Sequence, residues 1–73
     1  MADSFETVAL LNIMRKANPN EDIFIEKSNG KRVVIHPDEK VADASGYVMI
    51  FKDQRDMALN PKHIISIITK GDL

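Results

Sequence analysis

Lys62-His63-Ile64-Ile65-Ser66-Ile67-Ile68-Thr69 is the most apolar run of the 73 residues. Beyond His63 it carries no charge, and β-branched residues fill most of it, which is strand composition. Alternation places Ile64, Ser66 and Ile68 on one face and His63, Ile65, Ile67 and Thr69 on the other. Neither face is wholly polar, and a strand apolar on both faces must be covered on both. A chain this short has little left to cover it with.

A domain of this length buries only about 60% of the surface its unfolded chain exposes. Small domains recover the missing stability through disulfides, metals or association. With no cysteine, disulfides and thiolate metal sites are both excluded, in keeping with a reducing, cytoplasmic location. The N-terminal Met-Ala-Asp-Ser has no basic region leading into an apolar stretch, and no run approaches the roughly 20 apolar residues of a membrane span, so no membrane partner is expected. Association with further copies is the simplest remaining remedy. Ten Lys and Arg against eleven Asp and Glu give a net charge of −1, which argues against sequence-blind binding to duplex nucleic acid.

Residues 4–17 are predicted as a helix. Asp3 with Glu6 has the capping-box spacing, and Phe5, Val8, Leu11 and Met14 recur every three residues, with Leu10, Ile13 and Ala17 widening the apolar face. Arg15 and Lys16 complement the dipole in the last turn, and Asn18-Pro19 ends it. Five strands follow, at about 21–28, 31–36, 46–52, 54–59 and 62–69. Ile23 and Ile25 point inward from the first, Val33 and Ile35 share one face of the second, and Asn29-Gly30 between them is a strong hairpin signal. The third strand is apolar on both faces and central. Residues 41–45 read as a connection, Asp53-Gln54 and Asn60-Pro61 as tight turns, and Met49 and Met57 as packing. His36-Pro37-Asp38-Glu39 reads as a solvated turn. One histidine beside loop acids does not make a metal site, so neither metal nor cofactor is expected.

Five short antiparallel strands in about 50 residues bend into a small barrel, with the first strand near the fifth. The expected fold is therefore mainly β, a five-stranded antiparallel barrel with an N-terminal helix, in one domain spanning 1–73. Such a barrel leaves edges, and an isoleucine-rich edge strand templates aggregation unless another chain covers it. Pairing the fourth strand of one copy with the fifth of the next is a head-to-tail contact that closes into a homo-oligomeric ring. Met57 and Leu59 on the one strand, and Ile65 and Ile67 on the other, are its candidate interface residues.

The short helix before five strands, the Asn-Gly hairpin and the late Lys-His-x-Ile-Ser-x-Ile run together resemble the Sm-like (LSm) family with its SH3-type barrel, most of all its bacterial RNA-chaperone branch, Hfq. That resemblance implies a ring holding single-stranded, uridine-rich RNA around its pore. It carries over Tyr47 as the aromatic that stacks a base at the start of the third strand. It carries over Lys62 and His63 as the pair supplying charge and hydrogen bonds. These residue types suit RNA binding, since an aromatic ring stacks on a base, an ammonium meets a phosphate, and an imidazole reads a base edge or ribose hydroxyl. The sequence departs from the family pattern in four places, one of them a fourth strand about two residues longer. Arg32-Val33-Val34-Ile35 lacks the second-strand glycine, moving the expected bend to His36-Pro37. Ser45-Gly46 stands where an acid usually precedes the aromatic, and Pro61 replaces the tyrosine before Lys-His.

Catalysis is not expected. The histidines are isolated, no serine or threonine lies in a nucleophile motif, no glycine-rich phosphate loop occurs, and Asp38, Glu39 and Asp43 are scattered. Two functions remain: a ring that binds RNA, and an Sm-like scaffold for protein interaction that has lost RNA binding.

Overall fold

The computed structural model describes residues 3–53 and 55–72. Residues 1, 2 and 73, included in the expected domain, and Gln54, expected to open the fourth strand, lie outside the described residues. The architecture is a helix followed by short antiparallel strands arranged in two three-stranded sheets. No helix among the described residues is long and apolar enough to cross a membrane.

Helix α1, Ser4–Ala17, is capped by Asp3, whose carboxylate accepts from the Glu6 amide at 2.8 Å while the Asp3 amide donates to Glu6 Oε1 at 3.4 Å. At the other end, the Asn18 backbone amide and side-chain Nδ2 both donate to the Met14 carbonyl, at 2.9 and 3.0 Å. Polar tethers decide which face looks inward. Ser4 donates to the Asp43 carboxylate, and Arg15 donates to the carbonyls of Pro37 and Glu39. These bonds hold Ser4, Thr7 and Leu11 in the interior and leave Phe5, Leu10 and Ile13 outside. The three-residue apolar spacing thus marks the inner face only from Val8 onward.

The first sheet has the order β2, β1, β6, built from Arg32–Ile35, Ile23–Lys27 and Ile64–Thr69. Ile25 pairs with Val33 on one side and Ile67 on the other, so the first and last strands lie side by side as expected. The β1–β2 connection is a short loop. The Gly30 amide donates to the Lys27 carbonyl at 3.0 Å, and Gly30, not Asn29, takes the positive φ, at 82°. Asn29 instead accepts from the Lys31 amide through its side chain, at 3.0 Å, a local bond that asparagine favours in turns.

The second sheet has the order β3, β4, β5, from Lys40–Ala44, Tyr47–Phe51 and Met57–Leu59. Strand β3 corrects the expected count, since residues 41–45 read as a connection. There are six strands among the described residues, and neither sheet closes into a barrel. β3 and β4 meet through Ser45-Gly46, with φ of 52° and 89°, and Ala44 faces Tyr47 across them. Two consecutive positive φ values match the twist of a two-residue hairpin. Added at Gly46, a Cβ would meet no atom within 4 Å, so only backbone strain opposes a side chain there. Gly46→Ala is accordingly expected to cost about 1–2 kcal/mol, read as a lowered urea midpoint with an unchanged slope. A null effect would mean that the loop relaxes into another turn.

The core lies between the sheets and under the helix. Leu11, Ile23, Ile25, Val33, Ile35, Val48, Ile50 and Leu59 are buried there, with Val8, Met14, Val41, Met57, Ile64 and Ile67 packed around them. Strand β6 is not regular. Ser66 pairs with Glu26 but Ile64 with Lys27, so a bulge leaves Ile65 without a counterpart on β1. Simple alternation puts Ile65 on the face of Ile67. The bulge turns it outward, 68% exposed, and Ile64 takes the inward place.

Candidate functional site

Tyr47, Lys62 and His63 collect at one end of the molecule. Val48 is opposite Leu59 in the β4–β5 ladder, so Tyr47, one step further, lies level with the start of the turn that carries the other two. That turn is a short 3-10 segment, Pro61–His63. Asn60 caps it, its side chain accepting from the Lys62 amide at 3.0 Å, and the His63 amide donates to the Asn60 carbonyl at 2.9 Å. The Pro61 ring is buried, which anchors the turn and turns Lys62 and His63 to solvent. Tyr47 stands 48% exposed at the head of its strand.

The β1–β2 hairpin reaches the same place. The Ser28 amide donates to the His63 carbonyl at 2.7 Å, bringing the loop between Lys27 and Lys31 beside Lys62. This end therefore gathers three lysines, a histidine and an exposed aromatic ring on a chain of net charge −1. Neither the Lys62 ammonium nor the His63 imidazole has an ion pair or hydrogen bond among the described residues. Both are available to a ligand. Sequence reasoning did not assign Lys27 and Lys31 to this end. The hairpin signal located the turn but not its neighbour.

The candidate interface residues divide. Leu59 is a core side chain, and Met57 and Ile67 are half-buried against the core. Of the four, only Ile65 presents an exposed side chain. β5 and β6 are nonetheless edge strands of their sheets, as are β2 and β3, each with a strand partner on one side. A contact between copies at the β5 and β6 edges would be made by backbone, with Ile65 as its main apolar contribution.

A second polar cluster holds the opposite end, where the chain passes from β2 to β3. Lys52 Nζ donates to the Val34 carbonyl at 2.8 Å and to Glu39 Oε1 at 2.9 Å, linking the two sheets. The same carboxylate accepts from the His36 amide at 2.9 Å, and His36 Nδ1 lies 3.0 Å from Asp22 Oδ1. Burial pushes the Glu39 carboxyl up, but the Lys52 and His36 hydrogen bonds and nearby positive charge outweigh it and hold its pKa below the usual value. The hydrogen bond to Asp22 raises the His36 pKa against a smaller opposing effect of desolvation, and the charges of Asp22 and Glu39 add to the rise. These groups are occupied with one another. The cluster is a structural fastening, and the turn read as merely solvated is its hinge. No group of three metal-ligating side chains occurs among the described residues.

Comparison of the chain with models of known families, with curated proteins and with solved structures finds no match.

Proposed function

We propose that this chain is an Sm-like ring-forming protein that holds single-stranded, uridine-rich RNA at its pore on Tyr47, Lys62 and His63, by binding rather than catalysis. The observation that carries the reading is that β5 and β6 are both edge strands and that an exposed aromatic and basic end lies beside them. In this reading β2 and β3 are one long strand bent at His36–Glu39, which brings the six strands back to the five of an Sm-like barrel. The two edges differ, so their contact is head-to-tail and closes by rotation. Each copy then contributes one weak site, and repetition around the pore multiplies affinity through effective concentration.

Light scattering after size exclusion should give a mass several times 8.2 kDa. A strict monomer at every concentration would end the ring reading. Labelled oligo-uridine titrated at two salt concentrations should bind more weakly at the higher. Lys62→Ala should reduce the salt slope by about 1, and Tyr47→Ala should cost roughly 1–3 kcal/mol per stacked base. Binding unaffected by both variants would place the RNA elsewhere. No binding even at low salt would leave the second reading, a protein-interaction scaffold, which the net charge of −1 and the absence of an acid before Tyr47 favour.

A further inference from the structure

Helix α1 has a second apolar face that its own fold does not use. Phe5, Ala9, Ile13 and Ala17 follow one another at four-residue steps, which aligns them in one ridge along the helix. Phe5 and Ile13 keep 69% and 65% of their surface exposed. The tethers from Ser4 to Asp43 and from Arg15 to the Pro37 and Glu39 carbonyls fix the roll of the helix, so this ridge cannot turn inward.

We infer that the outer face of α1 docks against the same face of a second copy of the chain, the two helices antiparallel across a two-fold axis level with residue 11. In that arrangement Phe5 of each copy falls beside Ala17 of the other and Ala9 beside Ile13, so every large side chain meets a small one. Glu6 falls beside Lys16, giving opposite charges at both ends, and each helix N-terminus lies near the other's C-terminus, where the dipoles attract. A parallel pairing would set Phe5 on Phe5, Glu6 on Glu6 and Lys16 on Lys16. An anionic lipid surface fits less well, because interfacial helices carry several basic residues on the polar flank and Arg15 is already committed to carbonyls. The contact uses neither β5 nor β6, so it is independent of ring closure and doubles whatever unit those edges build.

The test is the mass of the full-length protein in solution. Ile13→Glu, an exposed position, should halve it at a given concentration with an unchanged circular dichroism spectrum, from two rings to one, or from dimer to monomer if no ring forms. Lys16→Glu and Glu6→Lys should each associate poorly alone, since like charges then meet twice. Mixed, they should associate with each other, since both contacts become opposite in sign. An unchanged mass for Ile13→Glu overturns the inference, as does a mixture no larger than its components. A wild type of the same mass as Ile13→Glu that binds phosphatidylserine vesicles, where Ile13→Glu does not, overturns it in favour of a membrane surface.

Discussion

Ile25→Ala is expected to leave the protein largely unfolded at room temperature. Ile25 is fully buried, with Val33 on one flank and Ile67 on the other, in the middle strand of its sheet. Removing three of its side-chain carbons forfeits their transfer free energy and leaves a void that rigid strand neighbours cannot fill. Such changes cost about 2–5 kcal/mol, and a core in a chain of this size rarely supplies more than roughly 3–5 kcal/mol altogether. Ile25→Val, which keeps the β-branch and the strand propensity, should cost only about 0.5–1.5 kcal/mol. Urea denaturation followed by circular dichroism separates the two. If alanine and valine shift the midpoint equally, the centre of stability lies elsewhere, and association between copies rather than this core holds the fold.

Much of that core is legible in the sequence because it rests on short-range signals. Asp3 and Glu6 mark the helix start, Asn29-Gly30 marks a hairpin, and Ile23, Ile25, Val33 and Ile35 alternate as strand residues with one covered face. Strand β3 is not legible for a physical reason. Lys40-Val41-Ala42-Asp43-Ala44 is rich in residues that avoid strands, and it is held by its ladder with β4 and by the Ser4 bond to Asp43, a contact between residues far apart in sequence. Alternation misplaces Ile65 because periodicity assumes an unbroken ladder, and the bulge appears only once β1 lies beside β6. For the candidate site, Lys62 and His63 stand together in the sequence but Tyr47 is distant from them, and its place beside the pair follows from strand register. Arg15 reads as a dipole partner and Lys52 as the end of a strand. Each binds carbonyls brought near by the change of sheet at His36–Glu39, which no local pattern encodes.

Lys52 shows how much rests on such a contact. The Lys52 and Glu39 side chains are only 22% and 12% exposed, so Lys52→Met would leave the Val34 carbonyl without that donor and a largely buried side chain's carboxylate without its main counter-charge. The expected loss is about 1–3 kcal/mol at neutral pH. The sign of its pH dependence identifies the cause. In the intact protein the Glu39 pKa is depressed, so its contribution is present above the ordinary glutamate pKa of about 4.3 and is lost as pH falls through the folded-state value. Without Lys52 the desolvation that now opposes the charged form has less to offset it. Ionised Glu39 then destabilises the fold above that pH, and protonation relieves it. The stability gap between wild type and Lys52→Met should therefore be widest near neutrality and should narrow on acidification, from the variant's relief above the ordinary glutamate pKa of about 4.3 and from the wild type's loss below it, whereas Lys52→Met/Glu39→Gln should recover part of the loss at pH 7 and show less of the narrowing. His36 acts on the other limb: its raised pKa gives a contribution present below its unfolded pKa and lost as pH rises through the folded one, and Asp22→Asn should remove it. Thermal unfolding of the four proteins between pH 3 and 8 reads both limbs. A gap between wild type and Lys52→Met that stays constant with pH would mean that the lysine acts through its aliphatic packing and its bond to Val34, with no part played by its charge.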